Sequence, residues 1–350
     1  MIHFFTAENP AGESVDGMAG IVRGRVAVSC RLSNGDGCML LHVLMIIAGF
    51  ILLLKGADFF VDGAAALAAR FGIPQIVIGL TIVAFGTSAP EAAVSINAAI
   101  HHNNGISIGN VVGSNIMNIM LILGITGVIS LMRVKKSTIR IDMPVMVVST
   151  FLMAGIGYFG KTINRPAGIL FLVLLVSYLL YLGYYSKKNG ADTDVEIKEI
   201  KGFLLPVFIL GGLAAIIIGS RLTVNGASYV AREFGLSDRL IGLTIVAFGT
   251  SLPELMTSVT AARKHNADIA IGNIVGSNIF NILFILGMTA TILPLPFISE
   301  AADFTIDAGV AILAAMLLWV ASWDGKVGRR LGVILLSCYV VYFGYLVVNK

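Results

Sequence analysis

The chain has 350 residues, 57% of them hydrophobic and only 13% charged, with a formal charge of +4 and a mean hydropathy of +0.91. Soluble domains carry about 25% charged residues, so a soluble globular protein is excluded. The basic residues sit mostly in short polar links and give no surface for nucleic acid, and the three scattered cysteines (Cys30, Cys38, Cys338) fit no metal or redox spacing.

Up to Cys38 the chain is mixed and Gly-rich, and it lacks the basic–apolar–small-residue order of a signal peptide. Residues 1–38 are expected to be a disordered N-terminal extension or an over-extended start, with Met39 as an alternative beginning. Ten apolar spans follow, at about 40–68, 74–100, 106–131, 142–160, 166–185, 203–231, 240–262, 269–295, 304–322 and 331–349. They are continuous rather than alternating, so they read as helices. About 20 apolar residues cross a bilayer, where the backbone must be satisfied within a helix or a closed barrel. The 39 glycines suit helices that pack closely.

The spans repeat. Gly79-Leu-Thr-Ile-Val-Ala-Phe-Gly-Thr-Ser-Ala-Pro-Glu91 returns as Gly242-Leu-Thr-Ile-Val-Ala-Phe-Gly-Thr-Ser-Leu-Pro-Glu254, identical at 12 of 13 positions and offset by 163. Gly109-Asn-Val-Val-Gly-Ser-Asn-Ile-Met-Asn-Ile119 returns as Gly272-Asn-Ile-Val-Gly-Ser-Asn-Ile-Phe-Asn-Ile282 at the same offset. Gly56, Gly63, Phe71 and Gly72 match Gly219, Gly226, Phe234 and Gly235, and Tyr178, Tyr181 and Gly183 echo Tyr339, Tyr342 and Gly344. Each half, 39–186 and 202–350, then holds five spans. Five is odd, so the halves enter the membrane from opposite sides. The expectation is an all-α membrane protein of ten transmembrane helices built as two inverted five-helix repeats, an architecture of secondary transporters whose sites lie near the midplane. Alternate links carry fourteen and four Lys and Arg. The positive-inside rule therefore puts the odd-numbered links, including 187–201, in the cytoplasm and both termini outside. The 187–201 link is too short to be a folded domain.

Glu91 and Glu254 fall near the middles of spans two and seven. A charge at that depth costs a few kcal/mol and marks a functional site by default. Helical spacing puts Thr87 and Ser88 on the face of Glu91 with Ala84 a turn further back, and Thr250, Ser251 and Ala247 likewise for Glu254. Pro90 and Pro253 each remove a helix hydrogen bond and free the carbonyls of Gly86 and Gly249. On spans three and eight the Gly109/Gly113 and Gly272/Gly276 pairs allow close approach, while Ser114 shares a face with Asn118 and Ser277 with Asn281. Asn110, Asn273, Asn115 and Asn278 read more as interhelical hydrogen-bonding groups. The ligand set is carboxylate, hydroxyl, amide and carbonyl oxygen, with no His or Cys, which suits Ca²⁺ and Na⁺ rather than Zn²⁺ or Cu⁺. Lys55, Asp58, Asp62, Arg221 and Asn225 read as interfacial, and His101, His102 and His265 as solvated helix ends. No His or Lys is placed to activate Ser88 or Ser251, which argues against an intramembrane enzyme. A passive channel would not need inverted halves.

On these motifs the chain resembles the cation/calcium antiporter superfamily, specifically a prokaryotic sodium/calcium exchanger-type protein. The Gly-Thr-Ser-x-Pro-Glu and Gly-Asn-x-x-Gly-Ser-Asn-x-x-Asn motifs stand at Gly86–Glu91 with Gly109–Asn118, and at Gly249–Glu254 with Gly272–Asn281. The resemblance covers residue 40 onward. It implies a core of helices two, three, seven and eight, with helices one and six sliding across it. It implies that Glu91 and Glu254 bind Ca²⁺ and alternately Na⁺. Thr87, Ser88, Thr250, Ser251, Ser114 and Ser277, and the carbonyls of Ala84 and Ala247, would complete the positions. Several members carry an acid where this chain has Asn281, and its absence argues against K⁺ co-transport. The expected function is electrogenic Na⁺/Ca²⁺ antiport in a prokaryotic inner membrane, with Ca²⁺/H⁺ exchange on the same fold as the alternative. Membrane lipid and the transported ions are the only expected partners, with no cofactor, nucleic acid or protein partner.

Overall fold

A computed structural model describes residues 35–100, 104–189, 200–235, 247–298 and 304–348. Its helices are α1 (Gly35–Phe71), α2 (Gln75–Thr87), α3 (Ala89–Ile100), α4 (104–129), α5 (Thr138–Gly160), α6 (Arg165–Asn189), α7 (Gly202–Glu233), α8 (Ala247–Thr250), α9 (Leu252–Arg263), α10 (Ala267–Ile292), α11 (Thr305–Ala321) and α12 (Arg329–Val348). Among the described residues, seven of these are long and apolar enough to cross a membrane, and the bent pair α2–α3 makes an eighth. α11 is apolar but shorter, at 17 residues. The expected span at 240–262 begins outside the described residues, and only α8 and α9 of it are seen. The molecule is an all-α, multi-pass integral membrane protein. The expectation of a disordered extension falls almost wholly outside the described residues; α1 already begins at Gly35. The expectations for His101 and His102, and for most of the 187–201 link, also lie outside them.

Local chemistry sets the helix ends. After α1 the chain turns through Gly72 at φ +64°, with Gly72 N–H donating to the Ala69 carbonyl (3.2 Å) and Ile73 N–H to that of Ala68 (2.8 Å). That left-handed closure favours glycine, and Pro74 bars a continuing helix. α9 closes in the same way, but with exposed His265 at φ +61° in the glycine's place.

The chain divides into two compact units. The smaller comprises residues up to Leu53 with Ile218–Thr250, and so holds the first part of α1, the end of α7, and α8. Within it a Cβ on Gly49 would stand 2.7 Å from the Gly219 carbonyl oxygen, and His42 stacks on Tyr229 at 3.7 Å.

The larger unit, Leu54–Ile217 with Ser251–Lys350, is arranged as a two-fold exchange between first-half and second-half elements. Strand β1 (Met132–Arg133) pairs antiparallel with β4 (Lys326–Val327), and β2 (Thr162–Ile163) with β3 (Leu295–Pro296). A Cβ on Gly332 would lie 2.6 Å from the Gly124 carbonyl oxygen, and one on Gly168 would lie 2.7 Å from that of Gly287. Two buried or half-buried acids are also mirrored: Tyr178 Oη donates to Asp142 Oδ1 (2.8 Å) and Tyr342 Oη to Asp307 Oδ1 (2.6 Å). These pairs correct the tyrosine echo read from sequence. Tyr178 corresponds to Tyr342, not Tyr339, because the offset has grown to 164 by the last helix of each half. Asp58 and Asp62, expected to be interfacial, take an ammonium partner at the end of α9: Lys264 Nζ lies 2.6 Å from Asp62 Oδ1 and 3.2 Å from Asp58 Oδ1. At the centre lies α10, with 94% of its apolar window buried against 22% for α1.

Candidate functional site

Four features of the backbone bring the motif residues together. First, α2 and α3 meet at Ser88 with a 50° bend, where Pro90 cannot complete the helix ladder. The second half breaks at the equivalent Ser251, whose φ/ψ of −93°/5° repeats the −83°/4° of Ser88. Second, π turns at Gly79–Val83, Met117–Ile122 and Asn281–Leu286 widen the helix beside each motif. Such turns recur at functional sites because they free or redirect backbone and side-chain groups. Third, α10 lies against α2 at close to backbone range: a Cβ on Gly276 would be 2.8 Å from Leu80 Cα and Ala84 Cβ, and one on Gly272 would be 2.9 Å from Gly79 Cα. Fourth, each glutamate's helix is held by an asparagine of the neighbouring helix.

That fourth feature occurs twice. Asn110 Nδ2 donates to the Glu91 carbonyl (3.2 Å) and to Ser95 Oγ (2.9 Å). Asn273 Nδ2 donates to the Glu254 carbonyl (3.3 Å) and to Ser258 Oγ (2.9 Å). Sequence marks Asn110 and Asn273 as hydrogen-bonding groups but does not single out their partners Ser95 and Ser258. The signal was available, since both serines stand four residues after a motif glutamate at the common offset. Asn273 also accepts from Thr87 Oγ1 at 3.0 Å. Leucine at 273 would remove three side-chain bonds and at 110 two. Asn273→Leu is therefore expected to lower the melting midpoint in detergent more than Asn110→Leu, each bond contributing about 1 kcal/mol.

Glu91 and Glu254 are each 1% exposed. Ser88 Oγ donates to Glu254 Oε1 (3.0 Å) and lies 3.0 Å from Ser277 Oγ, so a first-half hydroxyl joins the second-half carboxylate to α10. Thr87 Oγ1 also reaches the carbonyls of Val83 (3.1 Å) and Ala84 (3.3 Å). Ala84, Ser114, Asn118, Ser251, Ser277 and Asn281 are all buried in this same unit. Among the described residues, several of the oxygens have no hydrogen-bond donor: both of the Glu91 carboxylate, Glu254 Oε2, Ser251 Oγ, Asn118 Oδ1 and Asn281 Oδ1. A buried anionic oxygen without a donor costs several kcal/mol, and a cation removes that cost. The donor set is entirely oxygen, and among the described residues no cluster of three His, Cys, Asp or Glu is present. Hard ions fit such a set.

Ala247 and Thr250 belong to the smaller unit, in α8. There the Gly249 carbonyl, freed by Pro253, accepts from Ser220 Oγ at 2.6 Å. The first half has Ala57 at the position of Ser220, so it carries no equivalent hydroxyl.

A family model described as sodium/calcium exchanger protein matches residues 41–184 and 204–348. Inner membrane protein YrbG of Escherichia coli K12 is 36% identical over 319 residues, covering 88% of this chain and 97% of its own. Sodium/calcium exchanger MaX1 of Methanosarcina acetivorans is 34% identical over 346 residues, covering 86% and 97%. Among solved structures, the sodium-calcium exchanger NCX_Mj soaked with zero Na⁺ and Ca²⁺ matches with a TM-score of 0.78 at 34% identity, over 88% of this chain and 99% of that one.

Proposed function

Given that the chain belongs to the sodium/calcium exchanger protein family, and is thus a cation/Ca²⁺ antiporter rather than an enzyme, we propose that it exchanges Na⁺ for Ca²⁺ by alternating access with net movement of charge. The observation that carries this reading is the pair of buried glutamates with three carboxylate oxygens that have no donor among the described residues. Glu91, Glu254, Ser88, Ser277, Thr87, Ser251, Ser114, the Ala84 carbonyl, Asn118 and Asn281 are the proposed ligands. The sequence repeat extends the same reading to Thr250 and the Ala247 carbonyl. Ca²⁺ takes about 6–8 oxygens, and two ionised carboxylates match its charge.

The mechanism follows from charge. Two unpaired carboxylates in a low-dielectric centre repel each other and lose solvation, so the empty core does not cross between states. Ca²⁺ neutralises it, and so does a set of Na⁺ ions. Occupied states switch, empty ones do not, and exchange results. Each net charge moved couples to the membrane potential by about 2.3 kcal/mol per 100 mV.

The frame proposed for this exchange is ten spans in two inverted five-helix repeats, 39–186 and 202–350, joined by the cytoplasmic 187–201 link. The crosswise strand and glycine pairs support it. The distribution of Lys and Arg supports termini on the outer side, and the similarity to YrbG supports a prokaryotic inner membrane.

Purified protein in Na⁺-loaded liposomes is expected to take up Ca²⁺, and to do so faster when the interior is made positive with K⁺ and valinomycin. With more than two Na⁺ leaving per Ca²⁺, net positive charge moves outward. Uptake that ignores internal Na⁺ and follows an imposed pH gradient would replace this reading with Ca²⁺/H⁺ exchange.

A further inference from the structure

We propose that Asn115 is a positioning residue that fixes which end of the Asn281 amide faces the ions. This rests on the reading of Asn281 as a cation ligand. A side-chain amide can turn either its oxygen or its NH₂ toward a site, and only the oxygen can hold a cation.

The hydrogen-bond chain leaves one solution. Asn115 is 3% exposed and Asn281 1%. Asn115 Nδ2 donates to the Asn278 backbone carbonyl at 3.2 Å. A carbonyl can only accept, so Asn115 must present its NH₂ there and its oxygen on the other side. That oxygen accepts from Asn281 Nδ2 at 2.9 Å. Asn281 must therefore spend its NH₂ on Asn115, which turns Oδ1 away, and that buried Oδ1 has no partner among the described residues. A backbone carbonyl thus sets the polarity of two amides in series, each bond polarising the next.

The relay runs on one side only. Asn278 and Asn118 are the repeat counterparts of Asn115 and Asn281, but Asn278 Nδ2 returns to the Ile274 carbonyl of its own helix (2.9 Å). Among the described residues no bond joins Asn278 to Asn118. The second half-site therefore carries a pre-oriented amide oxygen and the first a free one. The relay also accounts for an amide at position 281. An ionised aspartate there would have no proton for the Asn115 oxygen, and oxygen would face oxygen.

The test is a double-mutant cycle read by calorimetric Ca²⁺ titration of the purified full-length protein in detergent. Asn115→Leu is expected to weaken Ca²⁺ binding by about five- to tenfold, the loss of one orienting hydrogen bond. In an Asn281→Ala background it is expected to change nothing further. A purely structural role would weaken binding in both backgrounds. Wild-type binding left intact by Asn115→Leu, or an undiminished effect without Asn281, would overturn the relay. Wild-type protein that binds no Ca²⁺ would instead sink the exchanger reading itself. If Asn115→Leu does not fold, Asn115→Gln, which shifts the amide by one methylene, takes its place in the same cycle.

Discussion

Glu254→Gln, and equally Glu91→Gln, is expected to lower Ca²⁺ uptake into Na⁺-loaded liposomes by about 100-fold or more while leaving the cation-free protein at least as stable as wild type. The two halves of this expectation have one cause. The substitution keeps shape and hydrogen-bonding reach but removes a charge, and losing one member of a buried ion pair costs about 3–5 kcal/mol. In the proposed exchange the other member is the transported cation. Without cations the same carboxylate is a liability, since each glutamate is 1% exposed and Glu91 has no donor on either oxygen among the described residues. A neutral amide is cheaper to bury. A structural glutamate would behave in the opposite way, with stability and activity falling together. Melting midpoints measured with and without Ca²⁺ separate the cases: the Gln variants should melt no lower than wild type when cation-free and should gain less on adding Ca²⁺.

Gly276→Val is expected to abolish folded protein or to lower its stability by about 3 kcal/mol or more. The first added carbon already stands 2.8 Å from Leu80 Cα, Leu80 O and Ala84 Cβ, closer than non-bonded atoms approach. Two of those three neighbours are backbone, so no rotamer change relieves the clash. Relief would require α10 to move away from α2. That movement would part Ser88 on the bend from Ser277, one residue beyond Gly276, and with it the 3.0 Å contact that ties the two halves of the site. Size-exclusion profiles and melting midpoints of the purified variant check this. A variant that is as stable as wild type and still transports would show that close packing of α2 and α10 does not build the site.

Much of this architecture is legible in the chain. An offset of 163 between two polar motifs inside apolar runs is enough to single out Glu91 and Glu254 and to mark Ser88, Ser277 and Thr87, of which Ser88 is bonded to Glu254 and Ser277, and Thr87 to Asn273. What is not legible has physical reasons. π turns have no residue signature, since the same apolar sequence can take four or five residues per hydrogen-bonded turn, so the widened segment that begins at Asn281 is invisible before the fold is seen. The Asp142–Tyr178 and Asp307–Tyr342 pairs escape because small length changes between the repeats shift the offset. Asparagines are the hardest, because an amide both donates and accepts. Asn110 and Asn115 lie five residues apart on one helix, yet one braces a glutamate's backbone and the other orients a distant amide. Only the partners distinguish them. A repeat in sequence also hides asymmetry in structure. The hydroxyl of Ser220 on the Gly249 carbonyl, and the relay ending at Asn281, have no first-half equivalent among the described residues.

On the proposed reading one cation sits between the two buried carboxylates and makes their burial tolerable. Anomalous diffraction from crystals of this protein soaked in Sr²⁺, with and without competing Na⁺, tests it most directly. A single strong peak is expected within coordinating distance of both Glu91 and Glu254, lost as Na⁺ is raised. A divalent ion bound elsewhere in the protein, with those two side chains protonated and hydrogen-bonded to each other, would contradict it.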